Sequence, residues 1–89
     1  MDPVKVLQRA YQDELLDALR AEGAAQGVPY PHVRALLLEV ARRERAHAEA
    51  LAEALRRRGA PLPPTPKPEE GGWETLLRLL SEEGLDRAY

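Results

Sequence analysis

Two long seams of apolar residues, each advancing in alternating steps of three and four, decide what this chain can fold into. One runs through Val4, Leu7, Tyr11, Glu14, Ala18, Ala21 and Ala25; the other runs through Val33, Leu37, Val40, Glu44, His47, Leu51 and Ala54. That step places every member on one face of a helix, so the spacing predicts two helices packed seam to seam. Between them, Val28-Pro29-Tyr30-Pro31 is a short stiff turn. Asp2 and Pro3 form an N-cap and first-turn pair, and the pattern continues to Gln26, where Gly27 is expected in the left-handed C-terminal position. Pro31 opens the second helix, which is expected to run through Arg58 and stop at Gly59, ahead of Pro61. The two lengths, about 36 and 42 Å at 1.5 Å per residue, match as an antiparallel hairpin requires.

Both seams contain residues that do not belong in a core. Glu14 interrupts the first, and Glu44 with His47 interrupts the second. An unpartnered buried carboxylate costs several kcal/mol, so these groups must be paired, neutralised or bound to a metal. Glu-x-x-His is the spacing that lets a carboxylate and an imidazole reach one ion from a single helix. In a hairpin, Glu14 comes opposite Glu44 and His47 at about mid-length, which makes half of a dinuclear site.

Eighty-nine residues form one small domain, of a size that often leans on metal or oligomerisation for stability. Two amphipathic helices cannot bury both faces alone, because Leu15, Leu16 and Leu19 on the first, and Leu36, Leu38 and Leu55 on the second, widen the apolar face beyond the seam. A homodimer, or a multiple of dimers, completes a four-helix bundle. It also doubles the ligands to four carboxylates and two imidazoles, whose charge of −4 two divalent ions neutralise. Such oxygen-rich ligation with one imidazole per ion suits iron, two per dimer, or manganese better than zinc.

Composition agrees with helices: 44% hydrophobic but 4% aromatic, with no Phe. No cysteine is present, which removes disulfides, thiolate sites and thiol nucleophiles. A net charge of −2 argues against a nucleic-acid partner. The one basic cluster, Arg56-Arg57-Arg58, sits where cations oppose the helix dipole. Neither a signal segment nor an apolar run of roughly 20 residues occurs, so a soluble cytoplasmic protein with no membrane partner is expected. Pro61 to Pro68 holds five prolines in eight positions and should be an extended spacer. The expected organisation is a helical hairpin over 1–60, a Pro/Gly-rich linker over 61–72, and a short amphipathic helix with Trp73, Leu76, Leu77 and Leu80 over 73–89. Glu39, Glu49 and Glu53 fall off the seam and read as solvated, with Glu39/Arg43 and Glu53/Arg57 as i,i+4 pairs. Tyr11, one turn before Glu14, reads either as core or as a hydrogen-bond donor to a ligand carboxylate. His32 lies by the turn and is expected to be exposed.

Tyr11-Gln-Asp-Glu14-Leu-Leu-Asp-Ala18, followed thirty residues after Glu14 by Glu44-Arg-Ala-His47-Ala-Glu-Ala-Leu51, resembles the ferritin-like superfamily, specifically rubrerythrin-type and encapsulated-ferritin-type proteins. The resemblance covers residues 4–58. It implies an all-α fold, a di-iron or di-manganese centre on Glu14, Glu44 and His47, and oxidation of ferrous ions or reduction of peroxide or dioxygen. Rubrerythrins carry this unit twice in one chain, whereas encapsulated ferritins carry it once and build the centre between subunits. This chain carries it once. The rubredoxin cysteines of a rubrerythrin are absent, and Ser81 to Tyr89 lacks the apolar cargo peptide of an encapsulin client, which argues against a shell partner. The rival reading, from another class, is a metal-free helical adaptor in which the polar layer fixes register and pairing.

Overall fold

The computed structural model describes residues 2–68. Helix α1 spans Pro3–Gly27 and helix α2 spans Pro31–Arg57; residues 60–68 follow without helix or strand. The fold is all-α. The short helix expected over 73–89 lies outside the described residues.

Backbone chemistry sets each boundary. Asp2 is extended, and its Oδ1 accepts from the Val4 backbone N–H at 3.0 Å, while Pro3 occupies the first turn, where its missing donor costs nothing. At the other end the expected left-handed Gly27 is not found. Gly27 is the last helical residue, and Val28 ends α1 in extended conformation, because Pro29 disfavours helical geometry in the residue before it. Tyr30 is extended ahead of Pro31 for the same reason. Arg34 reaches back across this turn, donating from Nη2 to the Val28 carbonyl at 3.0 Å.

Helix α2 closes with the full pattern of a left-handed cap. The Ala60 N–H donates to the Leu55 carbonyl at 3.0 Å and the Gly59 N–H to the Arg56 carbonyl at 2.9 Å, with Gly59 at φ +66°. Arg56 and Arg57 occupy the last turn.

The helices pack antiparallel: Ala25 shares a cluster with Leu37, and Ala21 with Val40 and Ala41. On α1 the buried contacts are small, with Ala18 and Ala21 fully buried, Ala25 nearly so, and Leu15 beside them. On α2 the buried residues are Leu37, Val40, Ala41, Glu44, Ala48, Ala52 and Leu55. Full burial of Leu37, Leu55 and Val40 stabilises the hairpin by about 1.5–3 kcal/mol each.

The observed α2 seam departs from the expected one after Glu44. It continues through Ala48, Ala52 and Leu55, while His47 is exposed and Leu51 and Ala54 are half-buried. His47 is therefore not at a core position of the hairpin. Leu38, expected to widen the apolar face, is 48% exposed. Glu39 pairs with Arg42 rather than Arg43, whereas Glu53 and Arg57 do meet, at 3.3 Å. No helix among the described residues is long and apolar enough to cross a membrane.

Candidate metal centre

Glu14 and Glu44 lie near the middle of α1 and α2, and the antiparallel packing brings them level. The structure places one ligand-type atom each from Glu14, Glu44 and His47 within 4.8 Å of one another. Glu44 is 8% exposed, between Val40 and Ala48 in the helix interface. His47, one turn further along α2, has its side chain 61% exposed and its Nδ1 3.4 Å from Glu14 Oε2. The trio thus grades outward from the interface, Glu44 deepest and His47 outermost, and opens onto one flank of the hairpin.

The state of Glu14 Oε2 bears on whether an ion fits. This oxygen is buried and accepts no hydrogen bond. His47 Nδ1 is within ion-pair distance but off the line of a hydrogen bond, so His47 supplies Coulombic company, when protonated, without satisfying the lone pairs. A buried carboxylate oxygen in that condition suits a cation, and two carboxylates with one imidazole are a donor set for iron or manganese. Asp17, one turn after Glu14, is engaged by Arg20 at 3.5 Å and is not in the group.

Around the trio the same flank carries half-covered apolar side chains, with Asp17 and Arg43 also half-buried beside them. Ala10 and Leu7 lie four and seven residues before Glu14, and Leu51 and Ala54 four and seven after His47; all four are half-buried. Helical periodicity sets them beside the ligands rather than behind them.

The opposite flank is organised differently. Arg45 holds Glu22 through two hydrogen bonds, Nε to Oε2 at 2.6 Å and Nη2 to Oε1 at 2.7 Å. These bonds are the main reason the Glu22 carboxyl ionises below its usual range, with burial opposing and the Arg45 charge adding to them. Tyr11 lines a groove on this side together with Leu15, Leu19, Arg45, Ala48, Glu49 and Thr65. His32 is exposed, as expected. Unanticipated from sequence were Gln8 and Gln12, which hold the C-terminal extended segment against α1; the available signal was two amides one helical turn apart beside an apolar face.

The rubrerythrin family's sequence profile matches residues 5–73, and the chain belongs to that family, within the ferritin-like superfamily. No curated protein and no solved structure matches it.

Proposed function

We propose that two copies of this chain pair through the flank carrying Glu14 and His47, and that the pair holds two iron or manganese ions between them. One observation carries the reading: Glu14, Glu44 and His47 each bring one ligand-type atom within 4.8 Å of the others, and Glu14 has a buried oxygen without a hydrogen bond, at the rim of a half-covered flank. One copy supplies three donors, too few to enclose an ion. Two copies supply four carboxylates and two imidazoles, and the charge of −4 balances two divalent ions. Membership in the rubrerythrin family supports the same centre.

Each residue has a distinct task. Glu44 approaches from inside the helix interface, where packing by Val40 and Ala48 limits its motion and keeps water from one side. Glu14 Oε2 is already stripped of solvent, so its negative charge is not spent on other donors. His47, outermost, is the group that the second copy's apolar flank would cover. Ions held here would supply one-electron chemistry toward dioxygen or peroxide, and ferrous iron would be a substrate in the ferroxidase form of the reaction. No side chain of this set is needed as a nucleophile.

The test is anaerobic titration of chelator-free protein with ferrous and then manganous ions, with elemental analysis and sedimentation on the same samples. About two ions per dimer are expected. A monomer that stays helical at micromolar concentration, or a dimer that takes up no metal, overturns the proposal; the second result hands the polar layer to the adaptor reading.

A further inference from the structure

The flank away from His47 is occupied by the chain itself. After Gly59 reverses direction, residues 60–68 return along α1, and their burial repeats every third position: Ala60, Pro63 and Pro66 are half-buried while the residues between them are exposed. Three residues per turn is the period of a polyproline II helix, so one edge of the segment faces the hairpin throughout. Two hydrogen bonds pin that segment, and they too are three residues apart. Gln8 Nε2 donates to the Pro61 carbonyl at 3.0 Å and Gln12 Nε2 donates to the Pro64 carbonyl at 3.2 Å. The two amides are one turn apart on α1 and so share a face. Prolines have no N–H to offer, which leaves their carbonyls as the groups by which a helix can recognise such a segment. Beyond Pro64, Thr65 faces Tyr11, Leu15 and Leu19 across a groove of about 430 Å³.

We infer that Gln8, Tyr11 and Gln12 form a recognition ledge for polyproline II, that its occupant is this chain's own residues 60–68, and that the bound strap reserves this flank against a second copy. The last part rests on the pairing proposed above. Its physical logic is one of closure. A hairpin with two uncovered apolar flanks can pair by different patches on its two sides, which builds open-ended stacks, whereas one uncovered flank permits only a closed, self-complementary pair. A strap held along Gln8 and Gln12, at the rim of the groove lined by Tyr11, Leu15 and Leu19, therefore selects the pairing that brings two Glu14/Glu44/His47 groups together.

The chain has no cysteine, so a Leu19→Cys/Thr65→Cys pair in the full-length protein gives the only thiols for a short bis-maleimide. Cross-linking within one chain is expected, and its yield should fall severalfold when Gln8→Ala and Gln12→Ala are added. Links chiefly between chains, or a yield indifferent to the two glutamines, overturns the strap. Light scattering on Gln8→Ala/Gln12→Ala without cysteines should show a weight-average mass at least twofold above wild type and growing with concentration. Alanine favours helix, so loss of α1 would not be the cause, and circular dichroism checks this. Unchanged mass refutes the reserving role. Metal uptake measured on the same samples separates the two readings: a wild type that binds no metal but shows the intrachain link and the mass change removes the metal centre and leaves the strap.

Discussion

Replacing Glu44 by Leu should lower the stability of the metal-free protein and abolish its response to metal. In the metal-free state the substitution removes a carboxylate that is 8% exposed between helices and installs an apolar side chain of similar size beside Val40 and Ala48. Exchanging a whole buried ion pair for packed hydrophobes is often neutral or stabilising by about 1–4 kcal/mol, whereas removing one member strands its partner and costs about 3–5 kcal/mol. Glu44 has a partner in the hairpin, so the metal-free variant should melt below the wild-type temperature. With metal, wild type at a hundredfold excess over the dissociation constant should gain about 2.7 kcal/mol per independent site. For a domain of this size that corresponds to a rise of roughly 10–20 °C. Glu44→Leu deletes one ligand from each centre, so this rise should vanish. The assay is thermal melting by circular dichroism, anaerobic, at one fixed protomer concentration, with and without ferrous or manganous ions. Retention of the metal-induced rise in Glu44→Leu refutes the ligand assignment. A metal-free variant that melts at or above wild type refutes the argument that Glu44 is held by a partner inside the hairpin.

Three further outcomes test the frame around the site. Gly59→Ala forces a side chain into the left-handed region at φ +66° and should cost about 1–2 kcal/mol in urea unfolding, whereas Gly23→Ala, near the end of α1 with open space around it, should be neutral or stabilising. Leu37→Ala empties a fully buried position between Ala25 and Val33 and should cost about 2–5 kcal/mol by the same measurement. Glu22 ionises below the ordinary carboxylate value of 4.5 because Arg45 hydrogen-bonds to it, so its contribution is fully present above that pH and is lost as pH falls through the lower folded-state value. The pair is partly exposed, so the stability gap between wild type and Glu22→Gln should not exceed about 1 kcal/mol at neutral pH, and it should close on acidification; a gap that widens toward low pH contradicts the assignment.

How much of this was legible in the sequence varied with the kind of constraint. Helix limits were readable because Asp2-Pro3, Pro29, Pro31 and Gly59 act on backbone geometry whatever packs nearby; only Gly27 misled, since Pro29 stops α1 without a left-handed residue. The meeting of Glu14 with Glu44 and His47 followed from two helices of matched length with their polar interruptions at mid-length. The facing of His47 did not follow. A strict three-four alternation repeats every 3.5 residues and drifts by about 20° per heptad against a straight helix. Across α2 that drift moves the buried line from His47, Leu51 and Ala54 to Ala48, Ala52 and Leu55. Alanines at 48 and 52 gave too weak an apolar signal to reveal it. The strap was equally hidden, because a proline-rich stretch that is a free spacer and one that is held by two glutamine amides have the same composition.

The alanine contact line of α1 has a consequence for dosage. Ala18, Ala21 and Ala25 let the helices approach closely, but each buried methyl contributes only about 0.8 kcal/mol, so α1 adds little to what Leu37, Val40 and Leu55 supply from α2. Leu7, Ala10, Leu51 and Ala54 leave half-buried apolar surface at the flank that a second copy would cover, and folding would then become second order in chain concentration. A cell that halves the abundance of such a protein would lose more than half of its assembled centres, and one that doubles it would gain disproportionately. Abundance itself would act as the control.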